Sequence, residues 1–347
     1  MPGLLKRLLS ISPEEASFTR RKFHFVSDST RRHLERVGET FLEGYHLALC
    51  DRGSDSIAAE LQKVDPEFRG FGFEGAAMGL DILDQLKPWK ACRIDDLLRK
   101  AGRPHMYMVH VGVGWSMARW RAGITRRLSR LDPLLRWLAL DGFGFHEGYF
   151  NWAHYVSGGS ASRIIDGYGK RVFDQGLGRS LWFVAGADPD YIVSIIQRFH
   201  GTRRNDLWSG VGLACTYAGG AERGAVEALR LAVGPSWAHL AQGAAFAAAA
   251  RHRAGNVNAK AELNCRLLSG LSVQAAAEIC DRASQNLESD NGTPAYEIWR
   301  CLIRERLMAS QCSEPVLRPH QFCAGRASTQ DRRLVCTGET RPSPLNQ

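Results

Sequence analysis

The residues with the clearest capacity for chemistry lie in one short stretch, where Asp141, His146 and Glu147 stand among aromatic side chains. Carboxylates and an imidazole in apolar surroundings have shifted pKa values, and such groups can move protons near neutral pH. In this hypothesis His146 exchanges protons, Glu147 holds its tautomer or acts as the partner acid, and Asp141 supports the pair. A structural interpretation stays open, in which Asp141 caps a helix and Glu147 bonds to a neighbouring repeat.

A second set of polar residues directly precedes a recurring glycine. Its members are Glu43, Glu74, Glu147, Gln175 and Gln242. If these glycines are equivalent positions in stacked repeats, the polar side chains line one surface, and Glu74 joins the candidate catalytic residues. The row could bind a ligand. It could also be a ladder of hydrogen bonds between repeats, which we favour because buried polar groups need partners.

A metal site was considered at Glu43 and His46, which have the Glu-x-x-His spacing of carboxylate-bridged di-iron bundles. Such bundles need two of these pairs, and no second pair stands near the other glycines. The sequence therefore predicts no metal site, and it identifies no cofactor.

Aromatic residues recur near the same glycines. Those singled out as candidate binding residues are Tyr45, Trp115, Tyr149, Trp152, Trp182 and Trp208. Aromatic side chains in helical repeats usually form the core. They could also line a groove for a flat, conjugated polyene, which aromatic faces suit through dispersion and stacking.

The formal net charge is +9, and one dense group of arginines contributes to it. The group consists of Arg119, Arg121, Arg126, Arg127 and Arg130. It could receive an acidic partner or a phosphate. The other arginines are scattered at helical spacing, and the motifs of nucleic-acid modules are missing, so no nucleic-acid partner is expected.

The elements that would position these residues are helices. Serine or aspartate caps followed by proline occur at Ser12, Asp132 and Asp188, whereas alternating apolar and polar runs are nearly missing. The recurring glycines are Gly44, Gly75, Gly114, Gly148, Gly176, Gly210 and Gly243. Their spacing of roughly 34 residues is that of one helical hairpin. We therefore predict an all-α chain of about seven helical-hairpin repeats, which form a solenoid or an α/α toroid with the glycines packed between repeats.

The domain prediction is a single all-α repeat domain over residues 1–308, followed by a tail over 309–347 that contains little apolar surface and is expected to be disordered. The chain has 347 residues, 44% hydrophobic and 23% charged, as in globular proteins. No apolar run is long enough to span a membrane and no signal peptide is evident, so a cytoplasmic location is expected. Nine cysteines without a Cys-x-x-Cys pair favour neither a disulfide framework nor a zinc site.

Longer motifs carry a resemblance to one bacterial family. They lie at Arg69–Gly79, His110–Trp115, Leu131–Leu138, Asp141–Phe150, Phe173–Phe183, Leu207–Ala214 and Pro294–Arg300. In these motifs the chain resembles the UnbL family, which is encoded beside enediyne polyketide synthases. The resemblance covers residues 5 to 307 and brings no catalytic residue with it. It implies a role in antibiotic biosynthesis, in which an enediyne core matures from a polyketide-derived polyene.

Two functions of different classes follow from the sequence. The first is an enzyme or accessory protein that acts on the polyene. The alternative is a non-catalytic helical-repeat scaffold that docks the polyketide synthase or its acyl carrier domain through the arginine group.

Overall fold

The computed structural model describes residues 7–87, 89, 92–287 and 292–313. In chain order its α-helices are α1 (Phe18–Arg21), α2 (Asp28–Leu49), α3 (Ser54–Leu61), α4 (Pro66–Leu86), α5 (Arg93–Arg99), α6 (Met106–Arg119), α7 (Ile124–Leu128), α8 (Arg136–Phe150), α9 (Gly169–Val184), α10 (Pro189–Gln197), α11 (Gly201–Ala218), α12 (Arg223–Ala232), α13 (Trp237–Ala254), α14 (Ala259–Ser269), α15 (Val273–Ala283) and α16 (Ala295–Ser313). Short 3-10 helices cover Pro13–Ala16, Arg103–His105 and Gly234–Ser236, and a π-helical turn covers Ala153–Ser157.

No β-strand occurs in the described residues, so the predicted all-α class is confirmed. The predicted tail was expected to begin at residue 309, whereas α16 continues to Ser313. Residues 314–347, on which the rest of that prediction falls, lie outside the described residues. Within the described residues no helix is both long and apolar enough to cross a membrane.

Local sequence explains where several long helices begin. The Ser27 hydroxyl accepts a hydrogen bond from the Thr30 amide at the start of α2. Asp65 accepts from the Glu67 amide at the start of α4, where Pro66 occupies the first turn. Each cap satisfies one amide that has no partner inside its helix.

Seven long helices form the core and pack side by side in chain order. They are α2, α4, α6, α8, α9, α11 and α13, and shorter helices stand between most of them. α4 shows how deep this core is, because every residue from Gly70 to Asp84 is buried. A helix that is buried on all faces needs neighbours on all sides. This explains why the apolar residues of α4 are not confined to one face.

The first long helices of the chain also contact the last ones. The Thr30 hydroxyl on α2 donates to the Gly220 carbonyl just after α11, over 2.8 Å. Arg251 of α13 donates to the Glu67 carbonyl on α4 over 3.2 Å, and the Asn256 amide donates to the Pro66 carbonyl over 3.0 Å. The amino-terminal long helices are therefore bound directly to the carboxyl-terminal ones.

The glycines lie where long helices touch, but they do not share one register. A Cβ at Gly75, Gly112, Gly142, Gly176, Gly210 or Gly243 would collide with the backbone of the preceding long helix. A Cβ at Gly44, Gly114, Gly144, Gly178 or Gly212 would collide with the backbone of the following one. The sequence predicted that Gly44, Gly114 and Gly148 are equivalent to Gly176, and they are not. The glycines of α6 and α8 that are equivalent to Gly176 are Gly112 and Gly142.

Gly148 is obstructed by side chains instead, because a Cβ there would lie 2.7 Å from Leu177 Cδ1 and also close to the Ser180 hydroxyl. We expect Gly148→Leu to destabilise the fold by about 1–3 kcal/mol, since α8 and α9 would have to separate to admit the larger side chain. A thermal melt compares this variant with the wild type. An unchanged melting temperature would contradict the close approach of these helices.

Candidate functional site

An apolar cavity lies among α2, α4, α6 and α8, beside the 3-10 helix Pro13–Ala16. The space inside it that a water-sized sphere can occupy is about 40 Å³. Its aromatic lining consists of Phe41, Phe71, Trp115, Phe145, Tyr149, Phe150 and Phe183. We call this space the aromatic cavity. Such walls suit a flat apolar molecule because ring faces gain dispersion and stacking energy against it.

Glu74 places a carboxyl group in the wall of the aromatic cavity. Its Oε1 accepts a hydrogen bond of 2.9 Å from Trp115 Nε1, whereas its buried Oε2 has no hydrogen-bond partner. Burial raises the pKa of Glu74 to about 7, although the nearby Arg179 and the Trp115 hydrogen bond favour the charged form. A carboxyl group with this pKa can give or take a proton at neutral pH.

Glu74 begins a row of buried polar side chains that crosses the core. The row consists of Glu74, Asp141, Gln175, Ser209 and Gln242, and each directly precedes a glycine that faces the preceding long helix. We call it the buried row. Its residues lie on α4, α8, α9, α11 and α13, whereas α6 has Val111 at the equivalent position before Gly112.

Arg179 joins the first two members of the buried row. Its Nη1 donates to Asp141 Oδ1 over 2.5 Å, and its Nη2 lies 3.9 Å from Glu74 Oε1. The guanidinium is fully enclosed, so these carboxyl groups supply the negative charge that a buried cation requires.

Hydrogen bonds continue along the buried row. Gln175 Nε2 donates to Asp141 Oδ2 over 2.8 Å, and the Ser209 hydroxyl lies within hydrogen-bond distance of both Gln175 Oε1 and Gln242 Oε1. Arg300 Nε then donates to Gln242 Oε1 over 3.2 Å. Of the residues predicted to form a ladder between helices, Gln175 and Gln242 are joined in this way through Ser209, whereas Glu43 and Glu147 make other contacts.

A second apolar cavity lies on the other side of Arg179. It is lined by Tyr107, Tyr217, Phe246 and Trp299, among others, and a water-sized sphere can occupy about 30 Å³ of it. Arg179 lines this cavity and Glu74 lines the aromatic cavity. The contact between Arg179 and Glu74 therefore connects the walls of the two apolar spaces.

The predicted catalytic residues lie in three different settings. His146 and Glu147 touch, with His146 Nδ1 at 3.4 Å from Glu147 Oε1. Glu147 is also held by Arg121 and Asn151, over 3.1 and 3.0 Å. Asp141 lies inside α8 and so caps no helix; it belongs to the buried row.

Burial and neighbouring charges affect the pKa values of His146 and Glu147 differently. Burial lowers the pKa of His146, which favours the neutral imidazole. Burial alone would raise the pKa of Glu147, but its contacts with His146, Arg121 and Asn151 outweigh burial and lower it. Glu147 is therefore a charged carboxylate that is held by these three neighbours. Glu74 is the predicted catalytic residue that lines the aromatic cavity.

The predicted aromatic residues divide in the same way. Trp115 and Tyr149 line the aromatic cavity. Tyr45 donates its hydroxyl hydrogen to the Leu9 carbonyl, and the indole N–H groups of Trp152 and Trp182 donate to the Arg21 and Gly219 carbonyls. Trp208 is buried in the hydrophobic core. These four residues line neither apolar cavity and hold the helices together.

One predicted docking residue is misplaced for that role. Arg127 is buried, where it contacts Asp81 and Ser116 and donates to the Trp120 carbonyl. Arg121 is tied to Glu147. Arg119, Arg121, Arg126 and Arg130 are exposed, so the predicted group loses only Arg127 from the surface.

No group of three or more histidine, cysteine, aspartate or glutamate side chains in the described part of the chain is arranged to hold a metal ion. Glu43 is exposed and pairs with Arg36 over 2.7 Å. His46 Nε2 accepts a hydrogen bond from the Ile11 amide. The Glu-x-x-His pair therefore serves local contacts.

Residues 2–307 match the model of a family described as protein of unknown function DUF1702. The chain belongs to the DUF1702 family. Neither the search of curated proteins nor that of solved structures found a match for this DUF1702 protein. The matched range includes the aromatic cavity and the whole buried row of this DUF1702 protein.

Sequence reasoning missed Arg179, Arg300 and Ser209 in this DUF1702 protein. A signal for Ser209 was present, since Asp141, Gln175 and Ser209 each precede a Gly-x-Gly pair. Arg179 and Arg300 carried no comparable signal, because most arginines at helical spacing lie on solvated faces.

Proposed function

We propose that this protein binds an elongated, conjugated apolar molecule in the aromatic cavity and that Glu74 exchanges a proton with it. The unpartnered Oε2 of Glu74 in an aromatic wall is the observation that carries this proposal. No other group competes for this oxygen, so it can give a proton to a carbon of the chain or take one from it.

The proposed ligand is a polyene derived from a polyketide, and the proposed setting is the maturation of an enediyne core. The resemblance to the UnbL family supports this setting. The aromatic rings support the choice of ligand, since a flat conjugated chain fits between ring faces better than a bulky aliphatic one does.

Catalysis at Glu74 needs no other ionisable group in the cavity to change its charge. A carboxyl group that is half protonated near pH 7 can donate to a chain atom or accept a proton from it. Trp115 would hold the carboxyl group in place through Oε1 and leave Oε2 facing the bound chain. His146 and Glu147 remain predicted catalytic residues outside this wall.

We also propose that the seven long helices are the repeated element of a solenoid or toroid. Support comes from the paired glycines: in α6, α8, α9 and α11, one glycine meets the preceding long helix and another meets the following one. Equivalent contacts on successive helices are what stacked repeats require.

The function is tested by deleting the gene from a producing strain and profiling the polyenes that accumulate. We expect an unprocessed polyene to accumulate, and Glu74→Gln to fail to restore the product because glutamine cannot exchange the proton. Glu43→Gln is the matched control, since Glu43 also precedes a glycine but is exposed. It should restore the product fully.

A scaffold without chemistry gives the opposite result. Unchanged product from the triple variant Glu74→Gln, His146→Ala, Glu147→Gln would contradict catalysis. It would favour docking of the synthase or its carrier domain through the exposed arginines. Turnover of the accumulated polyene by purified protein supports the enzyme directly.

A further inference from the structure

A shallow depression lies on the surface next to the aromatic cavity. It is lined by Ser10, Ile11, Ser12, Glu15, Arg119, His146 and Phe150 and holds about 720 Å³, most of it open. Glu15 and Phe150 line both spaces. The depression therefore adjoins the aromatic cavity, and the Phe150 ring stands between them.

Positive charge dominates the depression. The Glu15 carboxylate pairs with Arg21 over 2.7 Å and with Arg20 over 3.5 Å, so two cations already offset it. Arg119 is exposed and makes one long bond of 3.4 Å to the Leu9 carbonyl. The Glu147 carboxylate is buried against Arg121. Arg119 thus faces the depression without a paired carboxylate.

His146 supplies a second polar group at the same place. Its ring packs at 4.8 Å from Phe150 and 5.5 Å from Trp115, and both of those residues line the aromatic cavity. Its buried Nδ1 makes no hydrogen bond of good geometry, although Glu147 is near. A partly buried imidazole at this boundary can bind a polar group that enters from the depression.

We propose that this depression is the mouth of the aromatic cavity and binds the carboxylate end of a conjugated, unbranched acid whose chain extends past Phe150 to Glu74. This inference rests on the proposed function and names its ligand class and orientation. The carboxylate stays at the mouth because moving a charge from water into the apolar cavity is costly.

Phe150 is the residue that must move to admit the chain. Its ring contacts His146 on one side and lies under the Arg21 guanidinium, 4.9 Å from the ring centroid. Arg21 also holds the Tyr149 and Phe150 carbonyls over 2.9 and 2.7 Å, which keeps the backbone in place. Because the backbone is held there, admitting the chain requires rotation of the Phe150 side chain. A narrow opening of this kind selects an unbranched chain.

The test uses cis-parinaric acid, a conjugated fatty acid that fluoresces more strongly when bound, and its methyl ester as the uncharged analogue. We expect Arg119→Gln to weaken binding of the acid by about tenfold, because a charge-assisted hydrogen bond is lost, and to leave the ester unchanged. Arg126→Gln is the matched control, since Arg126 is exposed but lies outside the depression. Its binding of both compounds should equal that of the wild type.

Val37→Phe separates this inference from the proposed function, because Val37 lines only the aromatic cavity. The larger side chain should weaken binding of the acid and of the ester equally. If Val37→Phe weakens binding of both compounds but Arg119→Gln weakens binding of neither, the proposed mouth is wrong and the proposed apolar site is still supported. If the wild type binds neither compound, or Val37→Phe has no effect on either, the proposed site and the mouth both fail.

Discussion

Replacing Gly210 with alanine is expected to lower the free energy of unfolding by about 3 kcal/mol, far more than one methyl group usually costs. The added Cβ would lie 2.6 Å from the Arg179 backbone nitrogen and 2.8 Å from the Gly178 carbonyl carbon. These are backbone atoms of α9, so no rotation of a side chain can relieve the collision. The helices α9 and α11 would have to separate.

Separating α9 from α11 would also strain the buried row. The Ser209 hydroxyl lies 3.3 Å from Gln175 Oε1 across the same contact. Losing this hydrogen bond would leave buried polar atoms without partners, which would lower the free energy of unfolding further. Urea titrations of the two proteins measure the change in unfolding free energy, provided that the slope of this free energy against urea concentration is the same for both.

Gly224→Ala is the matched control for this experiment. Gly224 lies in α12, is exposed, and a Cβ there would meet nothing within 4 Å. Alanine should stabilise the protein by about 0.4–1 kcal/mol because it reduces the freedom of the unfolded chain. Equal effects at Gly210 and Gly224 would show that the close approach of α9 and α11 does not matter.

Glu74→Gln is expected to remove a large pH dependence of stability. The folded pKa of Glu74 is about 7, against an ordinary value of 4.5. Between these values the folded state binds the proton more tightly than the unfolded state does. Stability that Glu74 contributes at low pH is therefore lost as pH rises through this window, and the loss reaches about 2–3 kcal/mol between pH 5 and pH 8.

The measurement compares wild type and Glu74→Gln by urea denaturation at pH 5 and pH 8. Glutamine cannot ionise, so the variant should gain stability relative to wild type at the higher pH. The difference between the proteins is the quantity to follow, because His105 and His239, whose pKa values burial lowers to about 4, change stability in the opposite direction in both. A difference that does not change with pH would contradict a protonated Glu74 in the core.

The all-α class and several helix starts were predictable because their causes are local. A serine or aspartate cap bonds to an amide two or three residues away, as Asp65 does with Glu67. Adjacent residues on a helix point about 100° apart, so adjacency by itself counted against a contact between His146 and Glu147. Whether they touched depended on the conformation of the two side chains.

The register of the glycines was predicted only in part. The sequence shows that glycines recur, but two glycines separated by one residue point about 200° apart on a helix. One of them faces the preceding helix and the other faces the following one, as Gly142 and Gly144 do. The choice of Gly114 and Gly148 as repeat positions mixed these directions. Asp141 was for that reason left out of the polar row, and Glu147 was included.

The sequence by itself determined that this chain is helical, that glycines bring its helices together and that polar residues precede several of those glycines. The tertiary structure alone decided which groups share a site. Arg179 meets Asp141 across 38 positions of sequence, and it approaches Glu74 from still farther along the chain. Only the packing of separate helices sets such distances. That packing also isolates Glu74 from water and gives its carboxyl group a pKa near neutrality.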